Sequence, residues 1–238
     1  MLPPSAYGSR ERRLTLHGVE RHSLHEFRHG EFDFVSAMAR SLGADLVIAD
    51  LATNGLRAPI MLQERGIGSV IYAIDISPKV FELAARLGVQ ERLSADAKKR
   101  IVPMVADMCY FSLPELADLI MVLFTSFWYN FGVLESDINA ELRGRNKYEV
   151  RAVKFLHGET CLQAILRNLK QGGVFLIDNP IFYIRTDFEL DYTGRMWESY
   201  FSLFWWSIMA LKLNFSFEIV PYSYNSYFQE KVLIGKKL

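Results

Sequence analysis

Three aspartates follow apolar segments that have the composition of buried strands. Asp50 ends "VIAD", Asp75 ends "VIYAID" and Asp107 ends "PMVAD". A carboxylate in such a place can accept hydrogen bonds from both hydroxyls of a ribose, and Asp75 follows Gly55 by 20 residues, close to the interval of about 20 at which an acidic residue meets a ribose. Each aspartate alone could simply end a strand or cap a helix, but three in succession favour a nucleoside-containing cofactor.

The elements that must position these aspartates alternate between strand and helix patterns. Apolar strand patterns occupy 45–49, 69–75, 100–107, 117–124 and 174–180, and helical patterns occupy 24–42, 59–65, 77–88 and 159–170. Continuous apolar strands separated by helices indicate a parallel sheet covered on both faces. Ser77 is expected to cap one helix, and the pair Gly172-Gly173 to end another.

The last part of the chain breaks this alternation. "FSFEIVPYSYN" and "SYFQEKVLIGKKL" are adjacent strand patterns with no helix between them, which indicates a hairpin. The sequence therefore predicts an α/β fold with a doubly wound, Rossmann-like sheet of seven strands, mostly parallel, with a C-terminal antiparallel hairpin. We expect an N-terminal helical extension at 1–44 and one domain at 45–238, because no linker composition interrupts the chain.

Composition narrows the classes of partner. The 27 basic and 27 acidic residues balance, so the basic excess typical of proteins that bind nucleic acid or anionic membranes is missing. The two cysteines lack the spacing of metal ligands, and we expect no metal site. The apolar run 200–215 contains Lys212 and is shorter than the roughly 20 residues that span a bilayer, so we expect a buried helix leading into a strand. With no targeting segment, these features predict a cytoplasmic protein without membrane or nucleic-acid partners.

Three quoted stretches resemble the class I S-adenosylmethionine (SAM)-dependent methyltransferases. "VIYAIDISPKVFELAARLG" is similar to the family's second strand and the helix after it. "VADMCYFSLPELADLIMVLFTSFWYNF" resembles the third and fourth strands, and "ILRNLKQGGVFLIDNP" resembles the helix, turn and fifth strand that follow. The resemblance covers about 45–238. The pieces "FTSFWYNF" and "LIDNP" are typical of members that act on small molecules.

The resemblance implies SAM as cofactor and a set of residues that bind it. Asp75 would hold the ribose, and Asp107 with the backbone of Met108 would contact the adenine. The complete implied set is Asp50, Ala52, Asn54, Gly55, Asp75, Ile76, Asp107, Met108 and Phe124.

The cofactor loop departs from the family pattern. The family has roughly "DLGCGTG" where this chain has "DLATNGL", so Ala52, Asn54 and Leu56 stand where glycines are usual. Asparagine can adopt left-handed backbone dihedrals at modest cost. A leucine at the last of these positions would crowd the methionine part of the cofactor. If SAM binds, the side chain of Leu56 must therefore point away, into the sheet or into the following helix.

The acceptor side is rich in aromatic residues. The loop after the fourth strand pattern and the long segment after the fifth supply the candidates for substrate binding, which are Trp128, Tyr129, Asn130, Phe182, Tyr183 and Tyr192. Aromatic walls suit an apolar or ring-bearing acceptor. His157 and Glu159 precede a predicted helix and are candidates for a general base, with helix capping as the alternative for Glu159. No catalytic residue is assigned.

Three functional classes follow from these features. The first is SAM-dependent methyl transfer to a small-molecule acceptor, aromatic or apolar, and a homodimer is compatible with it. The second is a protein of the same fold that binds SAM or a partner without turnover, which the missing glycines suggest. The third, a nicotinamide-dependent reductase, fits poorly, because the chain has no GxGxxG motif.

Overall fold

The structure is a computed structural model of the 238-residue chain. It describes residues 29–53, 55–123, 127, 133–134, 147–178, 197–198, 203–223 and 229–238. The described helices are α1 (His29–Leu42), α2 (Arg57–Glu64), α3 (Pro78–Arg86), α4 (Ala95–Lys99), α5 (Lys147–Asn168) and α6 (Leu203–Leu213). The described strands are β1 (Val47–Leu51), β2 (Val70–Asp75), β3 (Ile101–Val105), β4 (Ala117–Val122), β5 (Val133–Leu134), β6 (Leu169–Asp178), β7 (Trp197–Glu198), β8 (Phe215–Ser223) and β9 (Gln229–Lys237).

Seven of these strands form one sheet in the order β3-β2-β1-β4-β6-β9-β8. Strands β1 and β2, β2 and β3, and β4 and β6 pair in parallel, whereas β9 pairs antiparallel with β6. The short strands β5 and β7 form a separate antiparallel pair. The predicted fold class, a mostly parallel seven-stranded sheet that ends in antiparallel strands, is confirmed.

The chain divides into two compact units, Met1–Met108 with Tyr222–Gln229, and Cys109–Pro221 with Glu230–Leu238. In the first unit, Arg65 fastens α1 to α2. Its Nη1 donates to the carbonyl of Phe32 at 2.7 Å and to Ser36 Oγ at 2.6 Å, and its Nη2 pairs with Asp33 at 2.9 Å. The guanidinium carbon of Arg57 lies 4.7 Å from the centre of the Phe32 ring. The predicted domain boundary at residue 45 stays a prediction.

In the second unit, Phe175 packs on a residue that has no side chain. Phe175 is fully buried on β6, and a Cβ built on Gly235 of β9 would lie 2.1 Å from its ring. Only glycine leaves space for the ring there. Phe215 of β8 meets the same ring edge-on, with 5.3 Å between the ring centres. The last two strands are thus fixed to the sheet by one aromatic side chain as well as by their hydrogen bonds.

The helix before β6 differs from its prediction. We expected it at 159–170, closed by Gly172-Gly173, but α5 runs from Lys147 to Asn168 and β6 already begins at Leu169. Leu169 is fully buried and pairs with Ala117 of β4. The pairing then shifts register, and the glycines lie within this irregular start of β6. The pairing of Leu169 with β4 therefore ends the helix at Asn168, before the glycines that were predicted to end it.

The expectation for the run 200–215 was correct in type and wrong in burial. The helix α6 leads into β8 as predicted, but among its described side chains only Trp206 and Met209 are buried, and Leu211 is 87% exposed. Trp206 packs against Phe127, with 5.5 Å between the ring centres. The apolar composition of α6 therefore exceeds what its one packed face requires. No helix in the described part of the chain is long and apolar enough to cross a membrane.

A buried asparagine organises the segment that follows β3. Asn168 Oδ1 accepts a hydrogen bond from the backbone N–H of Leu113 at 2.8 Å. Its Nδ2 donates to the carbonyl of Phe111 at 3.1 Å and to that of Ala164 at 2.8 Å. The thiol of Cys109 donates to the carbonyl of His157 at 3.6 Å. Hydrogen bonds between this segment and α5 thus hold a stretch of backbone that belongs to no strand.

Replacing Asn168 by alanine is expected to destabilise the chain by about 2–4 kcal/mol, because an unsatisfied buried polar group costs about 1–3 kcal/mol and three backbone partners each lose a hydrogen bond. Urea unfolding measures this. The neighbouring exposed residue provides the control, since Arg167→Ala should change stability by less than about 0.5 kcal/mol. Equal stability of the two variants would contradict the assigned role of Asn168.

Candidate functional site

The register of the parallel strands brings the ends of β1, β2 and β3 to one edge. Leu51 pairs with Ile74, and Asp75 pairs with Val105. Beyond the last pairs, the N–H of Thr53 donates to the carbonyl of Ile74 at 3.0 Å, and the N–H of Ala106 donates to that of Asp75 at 3.0 Å. The segments that leave these strands therefore start side by side. This carboxyl edge is where open α/β sheets bind ligands.

Asp50 is buried beneath the loop that follows β1. Its Oδ2 accepts a hydrogen bond from Thr53 Oγ1 at 2.7 Å, and both side chains are buried. A buried carboxylate needs such a partner, because burial of an unsatisfied polar group is costly. This bond and the one from Thr53 N–H to Ile74 hold the first turn of the loop at two points. The sequence prediction missed Thr53, although an acidic residue three positions before a hydroxyl residue is the available signal.

Asp75 orients the turn between β2 and α3. Its Oδ1 accepts a hydrogen bond from the backbone N–H of Ser77 at 3.0 Å. Ser77 takes the N-cap position, but its side chain makes no capping hydrogen bond, so the expected capping by its hydroxyl is wrong. The local bond fixes the direction of the Asp75 carboxylate, which lies half-buried at the end of β2.

The loop after β1 has left-handed backbone at positions that are not glycine. Ala52 has φ 55°, Gly55 has φ 87°, and Leu56 has φ 63° with ψ 21°. Held in this region, a residue with a side chain costs about 1–3 kcal/mol and persists only where the surroundings enforce it. The chain therefore adopts glycine-like dihedrals at two positions where the family pattern has glycine and this sequence does not.

Leu56 points away from the carboxyl edge. Its side chain is 3% exposed. It belongs to a hydrophobic group that we call the Leu56 cluster, whose buried members are Leu56, Ile60, Ala73, Ala84, Leu93 and Ile101. Ile60 lies in α2 and Ala73 in β2, so Leu56 takes the direction that the sequence analysis required for a cofactor-binding loop. Leu56, which would crowd the cofactor if it faced the carboxyl edge, is therefore part of the core.

The other predicted residues of this edge follow β2 and β3 in the chain. Ile76 is 54% exposed and presents apolar surface directly after the carboxylate. Asp107 and Met108 are half-buried beyond the end of β3. The structure thus brings Asp50, Ala52 and Gly55 together with the residues after β2 and β3. The remaining predicted residues, Asn54, Phe124, Trp128, Tyr129, Asn130, Phe182, Tyr183 and Tyr192, lie outside the described residues.

The two candidates for a general base lie inside α5 and not before it. Glu159 is therefore no helix cap. Its Oε1 pairs with Lys212 Nζ at 2.7 Å and accepts a hydrogen bond from Gln163 at 3.1 Å. The backbone carbonyl of His157 accepts the Cys109 thiol. Among the described residues, no group of three or more histidine, cysteine, aspartate or glutamate side chains is placed to hold a metal ion.

Comparison with known proteins gives no match by sequence and clear matches by structure. No family model and no curated protein matches the chain. A magnesium protoporphyrin IX methyltransferase from Synechocystis, crystallised with S-adenosylhomocysteine (SAH), is 15% identical with a TM-score of 0.61, over 98% of this chain and 97% of that one. A SAM-bound amino pentose methyltransferase of calicheamicin biosynthesis from Micromonospora echinaspora is 13% identical with a TM-score of 0.59, over 100% and 99%.

A third similar structure is a SAM-dependent methyltransferase from Clostridium acetobutylicum, with 14% identity and a TM-score of 0.58 over 96% of this chain and 98% of that one. The chain has the class I methyltransferase fold. In this fold the predicted residues lie at or near the carboxyl ends of the first three strands: Asp50 is the penultimate residue of β1, Asp75 ends β2, and Asp107 follows β3 by two residues.

Replacing Ala52 by glycine is expected to leave stability unchanged or raise it by about 1 kcal/mol. Relief of the left-handed strain contributes about 1–2 kcal/mol, and the greater backbone freedom of unfolded glycine offsets about 0.5–1 kcal/mol of it. At the exposed residue Ala85 in helix α3 the same substitution relieves no left-handed strain, so it should lower the stability of the protein by about 0.5–1 kcal/mol. Chemical unfolding of both variants measures the difference, and a loss at Ala52 as large as at Ala85 would contradict left-handed backbone at Ala52.

Proposed function

We propose that the chain binds SAM at the carboxyl ends of β1, β2 and β3 and transfers its methyl group to a small-molecule acceptor, aromatic or apolar. The observation that carries the proposal is the burial of Leu56 in the Leu56 cluster, because a leucine on the other side of the loop would occupy the place of the ligand. Solved structures of this fold contain SAM or SAH, and two of them are named for small-molecule acceptors.

The described residues fit a nucleoside cofactor. The Asp75 carboxylate, oriented by the N–H of Ser77, accepts hydrogen bonds from the ribose hydroxyls. Ile76 offers its exposed apolar side chain to the adenosine. Asp107 and the backbone of Met108 contact the adenine. The resemblance adds Ala52, Asn54 and Gly55, whose backbone would pass the methionine part, and Phe124; of these, Asn54 and Phe124 lie outside the described residues.

The cofactor, when bound, supplies an activated methyl group. The contribution of the protein is to hold the acceptor in line with that group at close approach, which accounts for much of the acceleration in reactions of this kind. Trp128, Tyr129, Asn130, Phe182, Tyr183 and Tyr192 are the residues that we propose for the acceptor pocket. We assign no general base, since the ion pair with Lys212 engages Glu159.

A second candidate function has one observation in its favour. Ala52 and Leu56 have left-handed backbone although neither residue is a glycine. A protein that retains the fold and binds SAM or a partner without turnover would have the same feature.

A cytoplasmic location and a homodimer are further proposals that rest on the sequence.

Calorimetry with SAM and SAH tests the cofactor site. We expect micromolar binding of both. Asp75→Ala should weaken SAM binding at least tenfold, because one hydrogen bond to a charged group contributes about 1.5–3 kcal/mol. Asp75→Asn keeps an acceptor for the N–H of Ser77 and should lose less affinity.

The exposed residue Asp45, two positions before β1, provides the control, and Asp45→Ala should bind as the parent does. An Asp75→Ala variant with unchanged affinity would remove Asp75 from the site. A parent protein that binds neither SAM nor SAH would refute the proposed function.

A further inference from the structure

We propose that Leu56 is a positioning residue, whose burial in the Leu56 cluster holds the described residues of the loop, Ala52, Thr53 and Gly55, in their binding shape before the cofactor arrives. The expected effect of Leu56 on SAM affinity rests on the proposed function. The Leu56 side chain points away from the candidate site, and leucine stands here where the family pattern has glycine.

The backbone of Leu56 joins the loop to α2. Leu56 is the N-cap residue of α2, its side chain makes no capping hydrogen bond, and its carbonyl accepts the N–H of Ile60 at 2.9 Å. Its left-handed dihedrals, φ 63° and ψ 21°, turn the chain from the loop into the helix. A leucine does not favour these dihedrals by itself, so another interaction must select them.

The side chain of Leu56 supplies that selection. In the observed conformation it reaches the Leu56 cluster, where Ala73 of β2 and Ile101 of β3 are also buried. Ordinary right-handed or extended dihedrals at this residue would redirect the Cα–Cβ bond and take the side chain out of the cluster. Hydrophobic burial and left-handed backbone are therefore coupled at Leu56, and the loop keeps its shape only while the side chain stays buried.

The other end of the loop is held by Thr53. Its hydroxyl donates to Asp50 and its N–H donates to the carbonyl of Ile74. With Leu56 fixed as well, the loop is attached at both ends to the first unit. A preformed loop loses less conformational freedom when a ligand binds, and affinity falls when the competent shape is only partly populated.

The test compares two leucines of one cluster. Leu56→Ala and Leu93→Ala remove the same atoms from the Leu56 cluster, but Leu93, which is 7% exposed, lies outside the loop. Calorimetry with SAM is run at a temperature where both full-length variants are folded. We expect at least a tenfold loss of affinity in Leu56→Ala and less than a threefold change in Leu93→Ala, with similar shifts of the unfolding midpoint. Leu56→Met conserves volume and should retain binding.

Hydrogen exchange of the Thr53 amide provides a readout without any ligand. The Thr53 N–H is bonded to Ile74, so we expect it to exchange at least tenfold faster in Leu56→Ala and unchanged in Leu93→Ala. If Leu56→Ala does not fold, Leu56→Cys and Leu93→Cys give the same comparison with a smaller loss of volume, because cysteine is not branched at Cβ and adds no penalty of its own to left-handed dihedrals.

Equal losses of affinity in the two variants, or equal Thr53 exchange, would overturn the proposal and leave Leu56 an ordinary core residue. If the parent protein does not bind SAM, the proposed function fails and the exchange comparison alone decides the role of Leu56. Faster Thr53 exchange confined to the Leu56 variant then supports the positioning role, and equal exchange overturns it.

Discussion

The burial of one leucine determines the shape of the loop on which the candidate site depends. Burying a leucine side chain contributes about 1.5–3 kcal/mol, and left-handed backbone at a residue with a side chain costs about 1–3 kcal/mol. These terms are of similar size, so the core can offset the strain at Leu56. Moved to the ligand side, the same side chain would lose this stabilisation and block the site. Packing and ligand access therefore require the same orientation.

The parallel sheet supplies the second constraint. Because β1, β2 and β3 run in the same direction in register, each strand delivers the residues after its last pair to one edge. Local hydrogen bonds then fix the side chains there, with Thr53 on Asp50 and the N–H of Ser77 on Asp75. Asp50 shapes the loop from below, while Asp75 is oriented at the surface. The two aspartates thus have different roles: Asp50 is buried and shapes the loop, whereas Asp75 is half-buried and available to a ligand.

Much of this arrangement could be predicted from the sequence. Apolar strand patterns with aspartates near their ends located β1, β2 and β3, although only β2 ends at its aspartate, Asp75. The helix predicted at 159–170 begins earlier, at Lys147, and this start was missed because half of residues 147–154 are charged, a pattern that favours a surface helix or flap separate from the buried helix. Its end was misplaced because Leu169 pairs with Ala117, a tertiary interaction that local glycine signals do not contain. The left-handed backbone of Leu56 could not be predicted from the residue type, since leucine rarely adopts these dihedrals unless packing in the core enforces them.

A crystal structure of the protein with SAM shows whether a loop with a single glycine binds this cofactor. We expect cofactor density over the carboxyl ends of β1, β2 and β3, with the ribose at Asp75 and the Leu56 side chain still in the Leu56 cluster. A Leu56 side chain in the place of the cofactor, or crystals grown in saturating SAM without density at this edge, would contradict it.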